Sequence, residues 1–151
     1  AVNINRFINM YCVNAYQAPV VWNKLYHASL VKRCPFPLIA YEDEAWLPYI
    51  LSFADRVCYL NEGLYEYDDT HKNSLSDKCH QKTGDEIFLN HKRAVLFYLE
   101  NGNPVRWEML KEVARKELSL FARIYKNVEY ENLWKQITEN EKAYMGSENR
   151  L

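Results

Sequence analysis

Three short stretches collect the residue types that could do chemistry: V-W-N-K-L-Y-H at 21–27, Y-E-D-E at 41–44, and L-Y-E-Y-D-D-T-H-K-N-S-L-S at 64–76. The middle one interrupts an apolar run with three consecutive carboxylates, Glu42, Asp43 and Glu44. A carboxylate in such a position can take a proton from a hydroxyl, and a like charge beside it tunes the pH at which it does so. The same residues also suit the start of a helix, where unpaired N–H groups and the dipole stabilise each negative charge by about 0.3–1 kcal/mol. One carboxylate meets that need; three in a row exceed it. The flanking stretches have plain readings too. Asn23 and Lys24 could end a strand, Tyr65 and Tyr67 could pack on one strand face, and His71 could be a solvated loop histidine.

Groups like these work only where a scaffold holds them. Phe7, Ile8, Tyr11 and Cys12 have helical spacing, and Val20, Val21 and Trp22 after Pro19 read as a brief strand or extended segment. H-A-S-L-V-K-R fits a short helix, and Pro35 and Pro37 force C-P-F-P-L to run extended. Apolar residues at 46, 47, 50, 51, 53 and 54 make a helical stripe. Proline is tolerated in a first turn, so Pro48 predicts a helix start near Glu44 or Ala45, with Glu42 and Asp43 at or just before it. R-V-C-Y-L and L-Y-E-Y-D read as two short strands around the turn N-E-G at 61–63, and the polar stretch beyond them as a loop.

From there the pattern turns helical. Thr83 and Glu86 form a capping box, Gly102 supplies a stop, and Asn103-Pro104 a second start. Trp107, Leu110, Ala114, Leu118, Phe121 and Tyr125 form an apolar stripe, and a last helix is predicted over Tyr130 to Tyr144.

Composition excludes several classes. The chain of 151 residues suits one domain that buries about two thirds of its unfolded surface. Nineteen basic residues nearly balance twenty acidic ones, so no strong field recruits nucleic acid or anionic lipid. Cys12, Cys34, Cys58 and Cys79 form no C-x-x-C pair, which points to buried, reduced thiols and a cytosolic compartment. No apolar run approaches the roughly 20 residues that span a bilayer. The four glycines are scattered, and neither a Gly-rich phosphate loop, H-E-x-x-H, G-x-S-x-G nor a metal-binding D-x-D is present.

In combination the stretches say more. W-N-K-L-Y, then an E-D pair opening a helix, then a short strand, then L-Y-x-Y with a trailing S-x-S resembles the carboxyl-terminal half of the catalytic domain of family 2 inverting glycosyltransferases, which have the GT-A fold. The likeness spans Ala18 to Ser76, about two fifths of the chain. It implies an α/β fold: residues 1–82 as the acceptor-side part of a GT-A (nucleotide-diphospho-sugar transferase-like) domain with a few short strands, and 83–151 as a helical carboxyl-terminal extension.

It also implies roles. Asp43 would be the general base beside Glu42, and Trp22, Asn23 and Lys24 would line the cleft, with Trp22 as a sugar-stacking surface. His71, Lys72 and Ser74 match a loop over the donor phosphates, where the family commonly shows an Arg and this sequence has Asp68, Asp69 and His71. The partners implied are a nucleotide-sugar donor and a glycan or envelope-polysaccharide acceptor. The implied cofactor is a divalent metal (Mn or Mg) held by a D-x-D in a preceding half outside these residues. The location implied is the cytoplasm or the cytoplasmic face of the membrane, and a halved sheet would invite homo-oligomers through its open edges. On this reading the chain is a fragment, inactive alone.

Two other classes compete. The chain could be a non-catalytic helical module whose Trp107 to Tyr125 stripe docks to a partner. It could also be a small metal-dependent hydrolase using His71, Asp68 or Asp69, and His80, although these lack the i, i+4 spacing of a helical ligand pair.

Overall fold

A computed structural model describes residues 20–58, 60–66 and 83–145. The elements among them are helices α1 (Ala28–Arg33), α2 (Glu42–Ser52) and α3 (Gly84–Asn101), a 3-10 turn (Pro104–Arg106), and helices α4 (Trp107–Tyr125), α5 (Glu129–Glu139) and α6 (Glu141–Tyr144). No strand occurs among the described residues, which overturns the expected α/β, partial GT-A architecture. Of the segments read as strands, 22–23 forms a turn, Val57 makes an isolated bridge, and 63–66 has no regular structure. Val, Tyr and Trp favour a pleated surface only where a neighbouring chain completes the ladder, and without one the local preference builds nothing. The first predicted helix (Phe7 to Cys12), the last two residues of the second hairpin strand and most of the polar loop lie outside the described residues.

Helix α2 is buried along most of its length. It starts at Glu42 rather than near Glu44 or Ala45, so all three carboxylates occupy its first turn. Pro48 consequently falls inside the helix, where it removes the N–H that would reach the Glu44 carbonyl. An internal proline costs about 3 kcal/mol. Burial offsets this, because every residue from Ala45 through Ser52 is buried. A helix covered on nearly all sides must sit between others, and α2 packs on α3 and α4. The Trp46 indole N–H donates to the Cys34 carbonyl (2.8 Å), fastening the proline-bound segment to the core.

Helix α3 begins with the capping box read from the sequence. Thr83 accepts from the Glu86 N–H, and the Glu86 carboxylate accepts from the Thr83 N–H (3.0 Å). It ends at Gly102, as expected. There Ser52 Oγ accepts the Asn103 N–H (2.9 Å) and ties the end of α2 to the junction. A Cβ on Gly102 would collide with the Leu110 side chain and lie 2.6 Å from the Tyr98 carbonyl oxygen. Gly102→Ala is therefore expected to lower stability by about 1–3 kcal/mol in urea unfolding. An unchanged midpoint would mean that the junction yields without strain.

The α4 stripe faces inward. Trp107, Leu110, Ala114 and Leu118 are buried, Phe121 is partly so, and only Tyr125 at the end reaches 42% exposure. The predicted last helix is instead two, α5 and α6, split at Asn140, whose side-chain amide donates to the Gln136 carbonyl (3.2 Å). Asn bonding to the backbone in this way competes with helix continuation. One hydrophobic cluster joins Cys34, Trp46, Leu47 and Ile50 to Val95, Tyr98, Leu110, Leu118, Tyr130 and Ile137. Residues on both sides of position 82 thus share a core.

Candidate active site

The first turn of α2 presents Asp43 half-buried, with Oδ1 accepting the N–H of Glu44 (2.9 Å). Lys24 approaches from the W-N-K segment. Its ammonium donates to the Val20 carbonyl (2.6 Å) and to Asn23 Oδ1 (2.7 Å), and its charge is felt at Asp43. Burial holds this ammonium down at about 8, with Asp43 pulling the other way. Burial likewise pushes the Asp43 carboxyl above the usual carboxylate range. The Glu44 N–H opposes that rise, Glu42 adds to it and Lys24 lowers it. A carboxylate so placed is a stronger base than one in water.

On the segment that carries Lys24, Trp22 stacks on Tyr65 with ring centroids 4.5 Å apart, and both rings are well exposed (43% and 55%). Trp22, Asn23 and Lys24 lie on one segment, with the Lys24 charge within electrostatic reach of Asp43. Glu42 lies in the same turn. His71 and Ser74, with Tyr67, Asp68, Asp69, Lys72 and His80, lie outside the described residues.

Beneath the turn lies a buried polar group that the sequence reading did not single out. Glu44 points inward, its Oε2 3.7 Å from Nε2 of His91 on α3. The His91 ring is 2% exposed and lies between Phe121 (3.7 Å, 5° between planes) and Tyr41 (4.8 Å, 29°). Its Nδ1 is 2.8 Å from the Tyr130 hydroxyl of α5. Nearby the Tyr98 hydroxyl donates to Glu117 Oε2 (2.8 Å). Tyr41, immediately before the triplet, is left-handed (φ 58°, ψ 42°), a conformation costly for a bulky side chain. The only trace of His91 in the sequence is its place on the α3 face that also carries Phe88, Val95 and Tyr98.

Burial drives His91 down to about 4 and Glu44 well above the usual range, the latter reinforced by Glu117, Asp43 and Glu42. Both shifts favour neutral forms, and with His91 neutral near pH 7 the 3.7 Å approach is not an ion pair there. The tautomer that serves both neighbours accepts the Tyr130 O–H at Nδ1 and points Nε2–H toward Glu44.

These shifts set opposite pH dependences. Above its ordinary value of 6.5, His91 is neutral whether the chain is folded or unfolded, and its full contribution is present. As the pH falls toward 4 only the unfolded chain takes up the proton, so that contribution is lost. The loss amounts to about 3 kcal/mol, at 1.36 kcal/mol per pH unit. Glu44 has the reverse sign: its contribution is complete below 4.5 and is lost as the pH rises through its raised folded value. Comparison with His91→Asn isolates the histidine. The stability gap between wild type and variant is expected to shrink by about 3 kcal/mol between pH 7 and pH 4. A constant gap in urea unfolding would show that folded His91 protonates as freely as in water.

Among the described residues no three His, Cys, Asp or Glu side chains converge to hold a metal, and Glu44 is turned away from Asp43. The resemblance puts the ligands of the implied Mn or Mg outside these residues, and no step below passes through it. The described cysteines, Cys34 (buried) and Cys58 (exposed), are free thiols. No described helix is long and apolar enough to cross a membrane. Comparison with protein-family models, curated proteins and solved structures gives no match for this chain.

Proposed function

We propose that these residues form the acceptor-side, base-bearing part of an inverting glycosyltransferase that uses a nucleotide-sugar donor and a glycan acceptor. The observation that carries this reading is the convergence at the start of α2. The W-N-K segment brings the Lys24 charge within electrostatic reach of Asp43, and Asp43 accepts the Glu44 N–H with its basicity raised by burial. The resemblance to family 2 transferases includes these residues, although its short strand does not occur among the described residues. Asp43 takes the proton of the acceptor hydroxyl as that oxygen attacks the anomeric carbon, and the nucleoside diphosphate leaves from the opposite face. One displacement inverts the centre. Trp22 and Tyr65 offer exposed aromatic faces suited to the apolar side of a sugar ring. A docking module that used the α4 stripe would have to expose side chains that are buried here.

The test is to supply the natural protein, purified from its source, with a panel of uridine, guanosine and thymidine diphosphate sugars and an oligosaccharide acceptor. Release of the nucleoside diphosphate together with an inverted glycosidic bond, followed by NMR, is the expected result. Retention of configuration, or no release from any donor, would overturn the reading.

A further inference from the structure

The base sits on a turn that the helices of the distal half grip from below. Glu44 carries both ends of this arrangement. Its peptide N–H donates to Asp43 Oδ1 (2.9 Å), while its side chain reaches inward to His91 Nε2 (3.7 Å). His91 is in turn fixed on three sides: by Phe121 of α4 across one ring face, by the left-handed Tyr41, and by the Tyr130 hydroxyl of α5 at Nδ1 (2.8 Å). Two of the imidazole's neighbours, Tyr41 and Glu44, are the residues that flank Glu42 and Asp43 in the chain.

Resting on the transferase reading above, we propose that His91 is a positioning residue for Asp43, acting through Glu44 within a Tyr130–His91–Glu44 chain that sets the angle of the first turn of α2. The strained backbone at Tyr41 supports this, because a left-handed tyrosine persists only where its surroundings over-determine it. The charged and titratable groups that bear on the turn come from every element around it. They are Lys24 from the preceding segment, Glu42 and Asp43 on α2 itself, His91 on α3, Glu117 on α4 and Tyr130 on α5. Release of Glu44 from His91 lets the first turn shift, which weakens the bond from the Glu44 N–H to Asp43 and lets the Glu44 carboxyl ionise in solvent beside it. Both effects raise the pH at which Asp43 titrates.

The two ends of the imidazole can be tested separately. His91→Gln places an amide N–H near Nε2 and keeps the reach to Glu44 while losing the acceptor for Tyr130. His91→Asn keeps an acceptor near Nδ1 but is too short for Glu44. The Asp43 carboxyl is titrated by carbon-detected NMR in this 151-residue chain, wild type and variants. The expected result is a midpoint within about 0.2 pH of wild type in His91→Gln and at least roughly 0.5 pH higher in His91→Asn. Should His91→Asn fail to fold, Glu44→Ala serves instead, cutting the same reach from its other end, with a smaller shift of the same sign. Midpoints that are equal in all variants, or a larger shift in His91→Gln than in His91→Asn, would overturn the proposal.

In the natural protein the matching expectation for His91→Asn is a fall in kcat of about tenfold with donor KM within twofold. If the midpoints move as described but wild type transfers no sugar, the positioning stands and the transferase reading falls.

Discussion

Asp43→Asn is expected to lower glycosyl transfer by the natural protein by about 10²- to 10⁴-fold, the usual contribution of a positioned general base. The substitution is chosen for what it preserves. An amide has the same shape, and its oxygen can still accept the Glu44 N–H that bonds Asp43 Oδ1 at 2.9 Å. Stability should therefore change by no more than about 0.5–1 kcal/mol. What the amide cannot do at any accessible pH is take a proton from a hydroxyl. The wild-type rate should also fall on the acid side, because only the ionised form acts as base. Burial places that fall above the ordinary carboxylate value of 3.8, with Lys24 limiting the rise. Initial rates across pH, with unfolding midpoints alongside, decide the matter. A folded Asp43→Asn retaining more than about a tenth of the wild-type rate would place the base elsewhere.

Trp46→Ala carries the largest expected loss of stability, about 3–5 kcal/mol. The indole is 4% exposed, and the edges of Tyr26 (4.8 Å) and Phe36 (5.0 Å) meet it, so truncation leaves a void lined by rings that other elements hold in place. The Cys34 carbonyl also loses the indole N–H at 2.8 Å, adding the penalty of an unpaired buried acceptor. Domains are commonly stable by only 5–15 kcal/mol, so the variant should be substantially unfolded at physiological temperature. Urea unfolding measures it. A loss below about 1 kcal/mol would show that the segment through Cys34 and Phe36 can close over the gap.

What could be foreseen followed the reach of each signal. The capping box at Thr83, the stop at Gly102 and the stripe from Trp107 to Leu118 are local, and their physics operates within a few residues. The start of α2 was misplaced by two to three residues because Pro48 was weighed by its local cost alone. Burial of the eight residues from Ala45 to Ser52 outweighs that cost, and burial is set by α3 and α4, far away in the chain. The expected strands failed for the same reason, since a strand exists only with its neighbour. In the site, Asp43 and Lys24 were legible through their order along the chain. His91 was not, because it meets Glu44 from 47 positions away and looks, on its own helix, like one more core residue.

Pro48 has a further consequence for how the molecule opens. Without its N–H the ladder of α2 lacks one rung, which divides the helix into two hydrogen-bonded packets: the amides of 45–47, beginning with Ala45 to the Tyr41 carbonyl (3.1 Å), and those beyond the proline. Each packet can exchange its amide protons with solvent by its own opening, without melting the other. The carboxylate turn belongs to the first packet, whereas Ser52, bonded to the α3 junction, belongs to the second. Deuterium uptake at 45–47 is thus a private clock for the turn that carries Asp43, running apart from the unfolding of the core beneath it.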